Sequence, residues 1–242
     1  MAMSLLRTLV AVVLLSQSAA ILNAQRAGRF TPSPWELSWF TGVNFGQEKT
    51  ASTPVAGGET RRDVLRDAAS GYLVGIRITE NRGRRFSAEL DYTMANQPFG
   101  FVNLSSGIGR LDLEHRVHTA VYSVLYNLFP PQAALRPYVA VGLGASFYQV
   151  DGDAKDAAEA EGVSLTDRWK LAGSWGGGLK WRLGESWGVR FDARDVITGT
   201  PDYGLPHTAD FFQGLVGPGF RPEGLLHNWQ VSTGFSYYFD GF

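Results

Sequence analysis

The chain has 242 residues, a formal net charge of -1 and no cysteine. Near-neutral charge gives no reason to expect a nucleic-acid partner, and the missing cysteine removes disulfide scaffolds and cysteine-built metal sites. The length fits one domain or two small ones.

Residues 1–24 read as a secretory signal peptide. Arg7 supplies the positive start, Leu9–Leu15 is a short apolar core, and small residues lead to cleavage after Ala24 or Ala20. That core is too short to span a bilayer as a helix, and no later stretch is apolar for the roughly 18 residues such a helix needs. Residues 25–34, with two prolines and two arginines, are expected to form a loose periplasmic lead. Residues 35–242 are expected to form one β-barrel domain.

Alternation of apolar and polar residues then recurs along the chain, as strands with one greasy and one wet face require. The first strand is Trp35–Phe45, with Leu37, Trp39, Val43 and Phe45 outward and Glu36, Ser38, Phe40, Gly42 and Asn44 inward. Gln47–Ala69 reads as a long loop. The second strand, Gly71–Thr79, sets Tyr72, Val74, Ile76 and Ile78 against Gly71, Gly75, Arg77 and Thr79, and Glu80–Arg84 is a compact turn. The third, Phe86–Met94, puts Glu89 and Asp91 on its inner face, where two acids suit a wet interior and not lipid. Asn96–Leu113 reads as a second long loop.

The fourth strand, Val117–Leu128, is apolar on both faces, with Ala120, Tyr122, Val124 and Tyr126 assigned outward. A short turn from Phe129 leads to the fifth, Pro137–Tyr148, whose inner face is Tyr138, Ala140, Gly142, Gly144 and Ser146. Asp151–Ser164 reads as an acidic, alanine-rich loop. The sixth, Trp169–Arg182, turns Lys170, Ser174, Lys180 and Arg182 inward, and the seventh, Trp187–Arg194, does so with Arg190, Asp192 and Arg194. Thr198–Leu226 is the longest loop. The eighth strand is Trp229–Phe239, and it must pair with the first to close a barrel.

Eight strands joined alternately by long and short connections, with Tyr and Trp near the strand ends, have the rhythm of a membrane barrel. The expected fold is all-β, an eight-stranded antiparallel up-and-down transmembrane β-barrel. A soluble lipocalin-like barrel is the competing arrangement, with apolar residues inside and charges outside.

The closing segment carries a polar residue, a glycine and two spaced aromatics, at Ser232, Gly234, Tyr237 and Phe239. This pattern, with the small-residue rhythm of Arg136–Gly144, resembles the OmpA/OmpW-like eight-stranded outer-membrane barrels. The resemblance spans about residues 35–239. It implies a place in the bacterial outer membrane, a lipid partner, insertion by the outer-membrane barrel assembly machinery, and those four residues as the assembly signal. Asp240-Gly241-Phe242 runs past the usual terminal aromatic.

Eight strands enclose an interior that side chains fill, so inward charges should pair. Glu36, Arg77, Glu89, Asp91, Lys180, Arg182, Arg190, Asp192 and Arg194, together with Lys170, are expected to form an ion-pair network that plugs the lumen. A narrow gated conduit is the alternative. His115, His118, His207 and His227 fall near the outer rim or loops without a serine nucleophile motif beside them, so a triad is not legible. Asp151-Gly152-Asp153 hints at calcium, but Lys155 and Gly162 occupy ligand positions. No catalytic residue, cofactor or metal ligand is expected. The long loop offers Tyr203, Phe211, Phe212 and Phe220 as a patch for an extracellular ligand or partner, or as a self-packed lid. The expected protein is a monomer with a structural, adhesive or envelope-interaction role. A narrow OmpW-like conduit for small or hydrophobic solutes stands second, and a barrel-rim lipid-modifying enzyme third.

Overall fold

The computed structural model describes residues 30–46, 49–54, 60–66, 70–102, 110–160, 164–201, 203 and 224–240. Eight strands close a barrel: β1 (Trp35–Gly46), β4 (Gly71–Arg82), β5 (Phe86–Val102), β6 (Arg110–Asn127), β7 (Leu135–Val150), β8 (Arg168–Arg182), β9 (Trp187–Gly199) and β10 (Leu225–Phe239). Each pairs antiparallel with its neighbours, and β1 meets β10 from Trp35 opposite Phe239 to Gly46 opposite Asn228. Two further strands, β2 (Lys49–Pro54) and β3 (Thr60–Arg66), form a hairpin that continues the sheet beside the outer end of β5.

The register fixes the barrel's shape. The lateral path Glu36, Thr79, Glu89, Ser123, Gly142, Ser174, Val196, Asn228 returns to β1 at Gly46, ten residues along from its start. Such a stagger tilts eight strands by about 40° and leaves a lumen that side chains fill.

The faces are inverted relative to a soluble barrel. Val141, Leu143 and Phe235 stand exposed outside, while Glu36, Glu89, Lys180 and Arg190 are buried inside. Only a lipid surround makes that distribution favourable. Aromatic pairs mark two rims. Phe86–Tyr126 and Trp187–Tyr237 lie near the short turns, and Phe147–Trp169 and Trp175–Trp229 lie toward the long connections.

Phe40, the one bulky inward residue of β1, has glycine on both flanks, Gly75 and Gly234. A Cβ at Gly75 would lie 2.3 Å from the Phe40 ring. Arg77 stacks its guanidinium 3.7 Å from that ring's centroid. Tyr138 is seated the same way over Gly178, whose Cβ would meet the phenol oxygen at 2.5 Å.

Four regions differ from expectation. Strand β5 runs to Val102 and β6 begins at Arg110, so most of Asn96–Leu113 is paired and not loop. Strands β9 and β10 likewise extend to Gly199 and back to Leu225. Beyond the bilayer the ladder continues by backbone hydrogen bonds, and no lipid is there to impose alternation. Within Gln47–Ala69 the β2–β3 hairpin does the same. Gly152–Ala160, read as loop, is a helix, α1. Its alanines, Glu159 and Lys155 favour helix, and Lys155 N donates to Asp151 O as the first turn. The side chains of Lys155 and Asp151 pair with Asp167 and Arg116, so neither is poised for calcium.

Candidate functional site

The middle of the lumen holds a compact charged cluster. Its carboxylates are Glu36, Glu89, Asp91 and Asp192, and its cations are Arg77, Lys180, Arg190 and Arg194. Four of each sign leave it neutral. Glu89 is the hub: Arg190 grips it with Nη1 at 2.6 Å and Nη2 at 3.2 Å, Arg194 Nη2 donates at 2.5 Å, and Thr79 Oγ1 donates at 2.8 Å. Lys180 Nζ donates to Glu36 at 2.5 Å, and the Ser236 hydroxyl donates to the same carboxylate at 2.9 Å. Arg77 bridges Asp91 and Asp192, the second at 2.7 Å.

Tyr138 completes the cluster. Its hydroxyl accepts from Arg190 Nε at 2.9 Å and Nη2 at 2.7 Å and donates to Asp192. Its place over Gly178 brings the phenol to the charges. Parity put Tyr138 on the inner face, but its reach into the network depends on the register with β8. The cluster draws on β1, β4, β5, β7, β8, β9 and β10, and each charged member is at most 5 % exposed. Buried charges this well paired resist separation, because stripping one partner leaves the other unsolvated.

Two expected members lie elsewhere. Arg182 points to the mouth at the short-turn end, where Nη1 donates to Thr31 O at 2.8 Å and Nη2 to Glu185 O. It is the last residue of β8, below the reach of the acids. Lys170 lies near the outer end of β8, half-buried beside Gly199.

The mouth at the short-turn end is crossed by Phe30–Pro34, which the sequence suggested would be loose. Phe30 N donates to Gln132 O, Thr31 N to the Glu185 carboxylate, and Asn81 donates to Ser33 O and Pro34 O. These bonds tie the strap to all three short turns.

At the outer end, Tyr203 turns inward. It is buried and packs edge-on against His115 and Tyr148 at 6.0 and 6.4 Å between ring centroids. It therefore belongs to the barrel mouth and not to an exposed patch, because its aromatic face is covered by other rings. Phe211, Phe212 and Phe220 lie outside the described residues, as do residues 1–24 and His207. His118 bonds to Tyr92 at 2.8 Å and Gln149 at 3.3 Å, and His227 to Asp195 at 2.7 Å. These partners include no serine.

Asp195 was not singled out by sequence reasoning. It follows outward parity on β9, yet it is buried between its lateral neighbours Trp175 and Trp229 and accepts from Trp175 Nε1 at 3.3 Å. An acid one step beyond an expected strand end was the available signal. Among the residues of the closing pattern, Ser232 is buried inward, Gly234 abuts Phe40, and Tyr237 stacks on Phe239 at 6.0 Å on the outer surface.

No family model matches the chain, and no curated protein does. Solved structures do. The outer membrane protein OprG from Pseudomonas aeruginosa is 16 % identical, with a TM-score of 0.54 over 86 % of this chain and 98 % of that one. Neisserial surface protein A is 12 % identical, with a TM-score of 0.50 over 86 % and 98 %. With its apolar exterior, charged interior and closed register, the chain has the fold of the eight-stranded β-barrels of the bacterial outer membrane.

Proposed function

We propose that the protein is an integral outer-membrane barrel with a closed lumen, serving a structural, adhesive or envelope-interaction role through its outer connections. One observation carries this reading: the neutral ion network that joins five strands across the lumen, with Tyr138 and Ser236 tying in two more. A solute passing through would have to part carboxylates from guanidiniums in a dry interior, and the barrier is several kcal/mol per ion. The Phe30–Pro34 strap supports the same conclusion from the periplasmic side. Such a barrel is a rigid platform, and loops on rigid platforms carry recognition.

Planar bilayer recording tests this directly. Pure refolded protein is expected to give no stable unitary conductance. Reproducible single-channel steps would overturn the plugged reading.

A second reading has its own observation. Above the charges the lumen wall carries Asn44, Gln97 and Asn228, buried amides with unpartnered polar atoms. They favour a narrow conduit whose outer vestibule admits small solutes, and solute-dependent uptake by proteoliposomes would support it over the closed barrel.

A further inference from the structure

The charge balance of the lumen is not uniform along its axis. Below the neutral cluster, in the layer covered by the strap, two guanidiniums stand without a counter-charge. Arg136 on β7 is 3 % exposed and Arg182 on β8 is 4 % exposed. Arg136 pairs across the ladder with Lys180 and Arg182 N donates to Ala134 O, so the two arginines hold diagonal positions on adjacent strands. Among the described residues no carboxylate oxygen lies within salt-bridge distance of either. Glu36, the acid whose field reaches Arg136, is already engaged by Lys180 at 2.5 Å and by Arg190 at 3.8 Å.

Their hydrogen bonds are also incomplete. Arg136 Nη1 reaches Asn81 Oδ1 at 3.4 Å, while its Nε and Nη2 have no acceptor. Arg182 spends its outer nitrogens on the carbonyls of Thr31 and Glu185 and leaves Nε unpaired. The buried Tyr238 hydroxyl, on the ring 4.4 Å from the Arg182 guanidinium carbon, has no partner either. Phe30 also lies against Arg182, its ring centroid 5.1 Å from the guanidinium carbon. Water can satisfy an orphan N–H, but it cannot neutralise two buried cations placed side by side.

We propose that this layer is a binding site for a phosphate-class oxyanion. Arg136 and Arg182 supply the charge and the forked donors that match a tetrahedral oxyanion. Tyr238 supplies a neutral donor, and the Phe30–Pro34 strap closes the site from the periplasm. The same chemistry is offered by free phosphate and by the phosphodiester of an anionic lipid headgroup. The site is independent of whether the lumen above it conducts.

The test uses full-length mature protein refolded in a nonionic alkyl glucoside, read by the temperature at which heat-modifiable gel mobility is lost. In one arm sodium phosphate is titrated against sodium chloride at matched ionic strength. In the other, micelles are doped with phosphatidylglycerol and free phosphate is omitted. A saturable rise in the first arm assigns a free oxyanion, and a rise confined to the second assigns a lipid headgroup. Arg136→Gln and Arg182→Gln are each expected to weaken the apparent affinity about tenfold or more. Where those variants fail to fold, Tyr238→Phe keeps the ring under Arg182 and removes only the hydroxyl, so a weakened response there upholds the site. Equal rises with chloride, an undiminished response in the folded variants, or no rise in either arm would overturn it.

Discussion

Glu89→Gln is the sharpest perturbation of the lumen. Glutamine keeps the size of the side chain but replaces one carboxylate oxygen with an amide that donates. That amide would face Arg190, bonded now at 2.6 and 3.2 Å, or Arg194, bonded at 2.5 Å. The cluster would pass from four acids and four bases to three and four, with the surplus cation buried. Removing one partner of a buried pair costs about 3–5 kcal/mol. Adding Arg194→Met restores equal counts and is expected to recover part of the loss, as a coupling energy of about 0.5–3 kcal/mol. Urea unfolding in phospholipid vesicles, followed by the fluorescence of the seven tryptophans, measures each variant. A cost below about 1 kcal/mol for Glu89→Gln is the value of a solvated pair. That result would show a water-filled lumen and refute the plug.

Further outcomes follow from the packing and the rims. Gly75→Val is expected to cost about 1–3 kcal/mol or block refolding, because its Cβ would lie 2.3 Å from the Phe40 ring. A Phe40→Ala second change should relieve part of that, and an unaffected Gly75→Val barrel on a heat-modifiability gel would contradict the seating. Asp195→Ala strips an acceptor from His227 and Trp175 and is expected to destabilise by about 1–3 kcal/mol in the same unfolding assay. Stabilisation instead would place that acid in hydrocarbon and not at the outer interface. Tyr237→Ala with Phe239→Ala removes the stacked pair at the end of β10, and slower assembly into outer membranes in cells would support an assembly role. Unchanged membrane yield would argue against it.

Side-chain orientation along each strand was legible from residue order alone. A strand's period is two, so placing Val74, Ile76 and Ile78 in lipid forces Gly75, Arg77 and Thr79 into the lumen, and Arg77 and Thr79 are buried there. Parity also set Glu89 and Asp91 on one face together, and the burial of both puts that face inside. Which charges meet was set by closure of the barrel. Glu89 finds Arg190 and Arg194 from 101 and 105 residues away, and that depends on a ten-residue stagger accumulated around the whole barrel. Strand ends were hidden for a related reason. Past the bilayer, β5 and β6 are held by backbone bonds that carry no side-chain signature. The isolation of Arg182 and Arg136 was equally invisible. Both carry the inward parity of their strands, but a charge is paired or orphaned by its height in the lumen, and height is set by closure.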